Sequence, residues 1–282
     1  MRGSRTRHPA IAGTWYPGSR ASLIEELKSL FLGKLGPGHI PDLAEYDRNL
    51  LGLISPHAGY VYSGQSAAWA YAEAAAHGPR DLVVLVGPNH RGVGSGISFP
   101  ESEIWQTPLG EVKIETTVEK EIAGQFKSID FDEMAHREEH SLEIQLPFLQ
   151  FIYGDHFRLV PISIWLYDLE LAKGLGLAIA KAIKGSRSLV IASSDMSHYV
   201  PSEIASERDS LTLKRISELD EDGTWNASQK YESLCGSAPV VAAIRAVKEL
   251  EAKRGRVLKY YHSGDVTGDN SAVVGYGSVA FE

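Results

Sequence analysis

The chain has a single cysteine, Cys235, among its 282 residues, which excludes an internal disulfide framework and any paired C-x-x-C metal or redox motif. Long apolar runs are missing too. Even the Ala-rich stretch from Ala67 to Ala76 carries Glu73, and nothing approaches the roughly 20 apolar residues of a membrane span. Basic charge is scarce: 28 Lys and Arg stand against 36 Asp and Glu, a formal charge of −8, so no general attraction to nucleic acid or to an anionic bilayer is expected. There is no G-x-x-x-x-G-K-[ST] segment and no G-x-S-x-G elbow, which removes P-loop and α/β-hydrolase chemistry. Gly92-Val-Gly94-Ser-Gly96 is glycine-rich but leads into a predicted strand, against a dinucleotide fingerprint. No cationic segment followed by an apolar run opens the chain, and with one cysteine this makes a reducing cytoplasm the expected location.

What is present is the composition of a globular chain, with 43% hydrophobic and 23% charged residues, enough to build its own core. Short β-branched runs alternate with longer helical ones, the mark of α/β organisation. Strands are predicted at Leu50–Ile54, Asp81–Val86, Gly96–Phe99, Glu111–Ile114, Arg158–Ile164, Ser188–Ala192, Arg256–His262 and Ser271–Phe281. Helices are predicted at Ser19–Leu32, Gly64–Ala76, Thr117–Phe126, Glu138–Tyr153, Asp168–Ile183, Ser202–Leu219, Trp225–Tyr231 and Ala238–Lys253, with Pro147 kinking or restarting the fourth. No Pro/Ser-rich linker or repeat interrupts this order. The expectation is one α/β domain over residues 1–282, with a mostly buried mixed sheet flanked by helices.

The ten histidines acquire meaning from their positions. Leu51-Gly-Leu-Ile54 runs into Ser-Pro-His57, Leu82-Val-Val-Leu-Val86 into Gly-Pro-Asn-His90, and Leu189-Val-Ile-Ala192 into Ser-Ser-Asp195-Met-Ser-His198. Each histidine therefore falls just beyond the carboxyl end of a predicted core strand, the edge where open α/β sheets build ligand sites. Imidazole is a common ligand for Zn, Cu, Fe and Ni and a base near pH 7. Two histidines with one anionic ligand leave coordination positions open, as catalytic metal sites require. The carboxylate candidates are Asp195, Asp265 and Asp269. The soft candidate is Cys235, placed just before a helix, where the macrodipole favours a thiolate. Glu138-Glu-His140-Ser141 reads as a helix start with acidic residues in its first turn. His8, His39, His77, His136 and His156 lack an organising context and read as surface residues. Trp15, Tyr16, Tyr60 and Tyr62 fit either a pocket rim or the core.

Several separated segments, in order, resemble the Memo family (mediator of cell motility): His8-Pro-Ala-Ile-Ala-Gly-Thr-Trp-Tyr-Pro17, Ser55-Pro-His-Ala-Gly-Tyr60 with Tyr62-Ser-Gly64, Gly87-Pro-Asn-His90, Glu139-His-Ser-Leu-Glu143, Ser193-Ser-Asp195 with His198, Leu234-Cys-Gly236 and the segment from Gly264 to Phe281. The resemblance implies a fold similar to the LigB-type class III extradiol dioxygenases, which are non-haem iron enzymes. It places His57, His90 and Cys235 at the metal-binding positions, with the cysteine where the dioxygenases use a glutamate, and Asp195 and His198 in the same cleft. A soft thiolate shifts metal preference toward Cu(I) or zinc.

The strand-end cluster points to a mononuclear metal-dependent redox enzyme, and the resemblance implies iron first and copper second, zinc being the third metal to consider. In it His198 serves as acid or base, Asp195 orients it or a bound water, and His140 stands behind the metal ligands. Two other functions remain open. One is a phosphopeptide- or protein-binding module using the same cleft without catalysis; the other is a metal-assisted hydrolase. By resemblance, AMMECR-type and radical-SAM proteins are the implied partners.

Overall fold

The structure is a computed structural model that describes residues 5–282. Its centre is four parallel strands in the spatial order Arg158–Ile164, Leu82–Pro88, Ser188–Ser193, Gly52–Ser55. Runs such as Leu82-Val-Val-Leu-Val form these strands because both faces are covered, so no polar alternation is needed. The sheet is mixed. Val273–Phe281 pairs antiparallel with Gly52–Ser55 and carries Gly255–His262 and the short His198–Val200 strand. On the far side Gly110–Ile114 joins parallel to Arg158–Ile164, and Ile104–Thr107 and Thr6–Arg7 complete that edge.

Two apolar clusters sandwich the sheet. Val84, Val86, Ile162 and Val190 point to one face, under helices Leu169–Ile183 and Ser237–Glu249. Leu53, Val83, Leu85 and Ile191 point to the other, under helices Arg20–Leu32 and Tyr60–Ala76. The alternation follows from the period of two along a strand. Helix caps fall where the sequence offers them: Ser19 accepts from Ser22 N and Asp168 from Leu171 N. No helix among the described residues is long and apolar enough to cross a membrane.

The α/β class with a mixed central sheet is as expected, and four differences in the elements bear on function. The helix expected from Gly64 begins at Tyr60. Ile104–Thr107 is an additional strand, and Ser263–Thr267 an additional short helix. The helix expected over Glu138–Tyr153 is broken: a helix at Met134–Arg137 ends before it, and the next runs from Leu146 to Tyr153 with Pro147 in its first turn. Residues Glu138–Ser141 are therefore a connecting segment, not a helix start. The last correction concerns His136, expected at the surface but fully buried, with Nε2 on the Ser98 carbonyl at 3.0 Å.

Candidate functional site

The carboxyl ends of three adjacent parallel strands deliver the site. Leu82–Pro88 leads to His90, Ser188–Ser193 to Asp195 and Gly52–Ser55 to His57. Two glycines permit the closing contacts. A Cβ on Gly87 would lie 2.8 Å from both Leu142 Cδ2 and Ser141 Oγ, so glycine lets those side chains close over the strand end without shifting. A Cβ on Gly236 would lie 2.7 Å from the Ser193 carbonyl oxygen, so glycine also lets the Cys235 turn approach the middle strand.

The result is a cleft of about 690 Å³ whose wall includes His57, His90, His140, Asp195 and His198. Cys235 Sγ lies 3.1 Å from His57 Nε2. The ligand atoms of His57, His90 and Cys235 all lie within 4.8 Å of one another, and those of His90, Glu139 and His140 form a second such group. Hydrogen bonds separate the roles of the two groups. Glu139 accepts from His90 N at 2.6 Å, and its Oε1 is 3.0 Å from His90 Nδ1 and 3.3 Å from His140 Nδ1. That carboxylate is committed to the far nitrogens of both rings, the arrangement that orients metal-binding histidines in known sites.

The tautomer of His57 follows from its neighbours. Ser193 Oγ donates its one hydrogen to the Ser141 carbonyl at 2.7 Å and accepts from Gln145 Nε2 at 2.9 Å. His57 Nδ1, 3.0 Å from the same oxygen, must then be the donor. This leaves Nε2 without a proton, its lone pair facing Cys235 Sγ.

Burial, then the neighbouring His90, His140 and His198, push His57 well below the usual imidazole range. Burial likewise takes His140 down to about 4. Burial would raise Glu139, but the His90 hydrogen bond and the His140 charge hold it at about 2, so it is a carboxylate at neutral pH. The Cys235 thiol is pushed up, by enclosure among protein atoms and then by Asp195, against the Asp195 amide that donates to its sulfur at 3.3 Å. Enclosure and Asp195 therefore favour the neutral thiol, against the direction expected from the helix start, and a nearby cation would favour the thiolate.

Asp195 is buried, and burial raises it. Its Oδ1 accepts from His57 N at 2.7 Å and Ala58 N at 3.3 Å, so it braces the His57 turn. Of the two roles expected of Asp195, orienting His198 or a bound water, the first is taken by the Met196 carbonyl, which lies 2.8 Å from His198 Nδ1. Asp265 and Asp269 stand apart from the cleft, where Asp265 accepts from His262 N and Asp269 from Ser271 N. Of the aromatic set, Trp15 and Tyr62 reach the cleft, whereas Tyr16 and Tyr60 are buried behind it. Glu139 falls in one of the Memo-like segments, but its local spacing indicated no role beyond a helix start, since a pair of acidic residues before a histidine is ordinary there. Tyr199 and Tyr276 also line the cleft without advance notice.

A mixed α/β sheet whose parallel strands converge on a histidine-lined cleft, with Cys235 beside His57, defines the class of protein. The chain belongs to the family of Memo-like proteins, whose family model matches residues 7–280. It is 42% identical over 279 residues to a MEMO1 family protein of Ignicoccus hospitalis, covering 98% of each chain. It is also 42% identical over 288 residues to one of Methanocaldococcus jannaschii, covering 99% of this chain and 100% of that one. Among solved structures, an uncharacterized Escherichia coli protein matches its fold with a TM-score of 0.56 at 13% identity, over 83% of this chain and 100% of that one.

Proposed function

We propose that the chain is a mononuclear metal-dependent redox protein in which His57, His90 and Cys235 hold the ion, iron or copper before zinc. The observation that carries this reading is that the ligand atoms of His57, His90 and Cys235 lie within 4.8 Å of one another, with Cys235 Sγ 3.1 Å from His57 Nε2. A thiol pushed up by enclosure is a poor free nucleophile, but a bound cation would offset that cost and keep the sulfur ionised. Glu139 behind His90 and Ser193 behind His57 supply the outer support that such ligands need. One thiolate and two imidazoles suit a soft or borderline ion and leave coordination positions toward the cleft. Iron or copper in that position would supply electron transfer; zinc would supply Lewis acidity alone.

The chain's own groups have separable tasks. His198 Nδ1 is engaged by the Met196 carbonyl, which leaves Nε2 to take or give a proton in the cleft. His140, neutral at pH 7, is the second acid–base group, held through Glu139. Asp195 serves as the brace of the His57 turn. Metal analysis of untagged protein, as isolated and after reconstitution, tests the reading: one ion per chain is expected, lost in His57→Ala and Cys235→Ser. Unchanged metal content in both variants would overturn it.

A further inference from the structure

The fourth parallel strand, Arg158–Ile164, delivers no proposed ligand, yet the three residues that leave it touch the segments that carry two of them. The Ile164 carbonyl accepts from Asn89 N at 2.8 Å, and Trp165 N and Leu166 N both donate to the Gly96 carbonyl, at 2.8 and 2.9 Å. The Trp165 ring lies against Gly92, two residues past His90, where a Cβ would be 3.2 Å from Trp165 Cζ3. These contacts fix the segment to the loop that carries His90. Tyr167 then reaches to the other side, where its phenol donates to the Cys235 carbonyl at 2.6 Å. That carbonyl is available for a reason written in the sequence. At the start of helix Ser237–Glu249 the Gly236 carbonyl accepts from Val240 N. The residue that would serve the carbonyl before it in the same pattern is Pro239, which has no N–H. The Cys235 peptide is thus held at both ends, its N–H by the Asp195 carbonyl at 3.3 Å and its carbonyl by Tyr167. Asp195 ties Cys235 to the His57 turn, and Tyr167 ties it to the His90 loop.

We propose that Tyr167 is a positioning residue, which holds the Cys235 turn so that Sγ stays within reach of His90 as well as His57. The hydroxyl carries the role: the residue is 38% exposed, so a hydrogen bond rather than core packing makes the tie. This rests on the functional reading only in taking Cys235 as a ligand, and the hold on the turn is measurable without metal.

Cys235 is the single cysteine, so thiol chemistry reports on this turn alone. In the chelator-treated full chain, Tyr167→Phe is expected to raise the rate of Cys235 alkylation by iodoacetamide by about three- to tenfold, the equivalent of one hydrogen bond. Cobalt(II) titrated into the same preparations gives the second readout. Tyr167→Phe should weaken its binding by about tenfold and diminish the thiolate-to-cobalt absorption per bound ion. Tyr153→Phe, which loses a hydroxyl bond to the Ala74 carbonyl at the far end of helix Tyr60–Ala76, is expected to change neither. The proposal is overturned if Tyr167→Phe is alkylated at the rate of the unmodified chain or if Tyr153→Phe shows the same rise. It is overturned as well if the unmodified chain shows the thiolate absorption and Tyr167→Phe binds cobalt equally tightly. Should the unmodified chain bind no cobalt, or bind it without thiolate absorption, the metal reading falls and the alkylation rates alone decide this one.

Discussion

His57 Nε2 and Cys235 Sγ face one another at 3.1 Å although 178 residues separate them in the chain. The contact exists because two strand-end turns converge. Asp195, leaving the middle strand, binds the backbone of the first turn through its carboxylate and that of the second through its carbonyl, which accepts from Cys235 N at 3.3 Å. One residue thus fixes the relative position of the two side chains proposed as ligands.

Ser193 sets which nitrogen of His57 carries the proton, so Ser193→Ala is expected to weaken metal binding without removing any ligand. Loss of such an outer-shell partner lowers affinity by about 10–100-fold. Competition against a chromophoric chelator measures the change. Affinity equal to that of the unmodified chain contradicts the tautomer argument.

Glu139 supports His90 and His140 together, and Glu139→Gln keeps the shape while removing the charge. Metal affinity is expected to fall by about 10–100-fold here as well. Because two rings lose their partner, the His140 resonance should titrate differently in a histidine NMR experiment on the metal-free chain. An unchanged His140 titration would show that Glu139 acts on His90 alone.

Arg7 and Glu143 form a buried ion pair at 2.7 Å, with side chains 1% and 0% exposed. Glu143 also accepts from Ala10 N, Ile11 N and Tyr16 OH, tying the segment that presents Trp15 against His140, their rings 4.2 Å apart. Glu143→Ala leaves a buried guanidinium without its partner, which costs about 3–5 kcal/mol. Denaturant unfolding should register that loss, and a change below about 1 kcal/mol would show that the pair is dispensable.

Glu119, 1% exposed and with one carboxyl oxygen lacking any partner, is raised by burial, then by Glu115, to about 8. A raised carboxyl favours folding below the ordinary value near 4.5 and loses that advantage as pH rises toward 8. Glu119→Gln should therefore match the unmodified chain near pH 5 and gain stability above pH 8, by on the order of 4 kcal/mol at full effect. Melting curves at the two pH values decide it; an equal difference at both would place the effect elsewhere.

The sequence showed the strand-end histidines because burial on both faces makes core strands into plain apolar runs, and His57, His90 and His198 follow such runs directly. The helix Leu169–Ile183 was equally legible, with Leu175, Ile179 and Ile183 on its buried face. The start of Tyr60–Ala76 was hidden because Val61 and Tyr62 are exposed at the cleft and interrupt the apolar period. Glu139 was hidden because its importance lies in contacts across the chain, which local spacing does not encode. The burial of His136 was illegible for the same reason: its partner Ser98 lies on a strand remote in sequence.

The central claim is that Cys235 and two histidines hold one ion, and X-ray absorption of the metal-loaded chain addresses it most directly. The account predicts one sulfur scatterer near about 2.3 Å with nitrogen scatterers near about 2.0–2.1 Å, and loss of the sulfur shell in Cys235→Ser. A first shell of nitrogen and oxygen alone, or a sulfur shell that survives in Cys235→Ser, would contradict it.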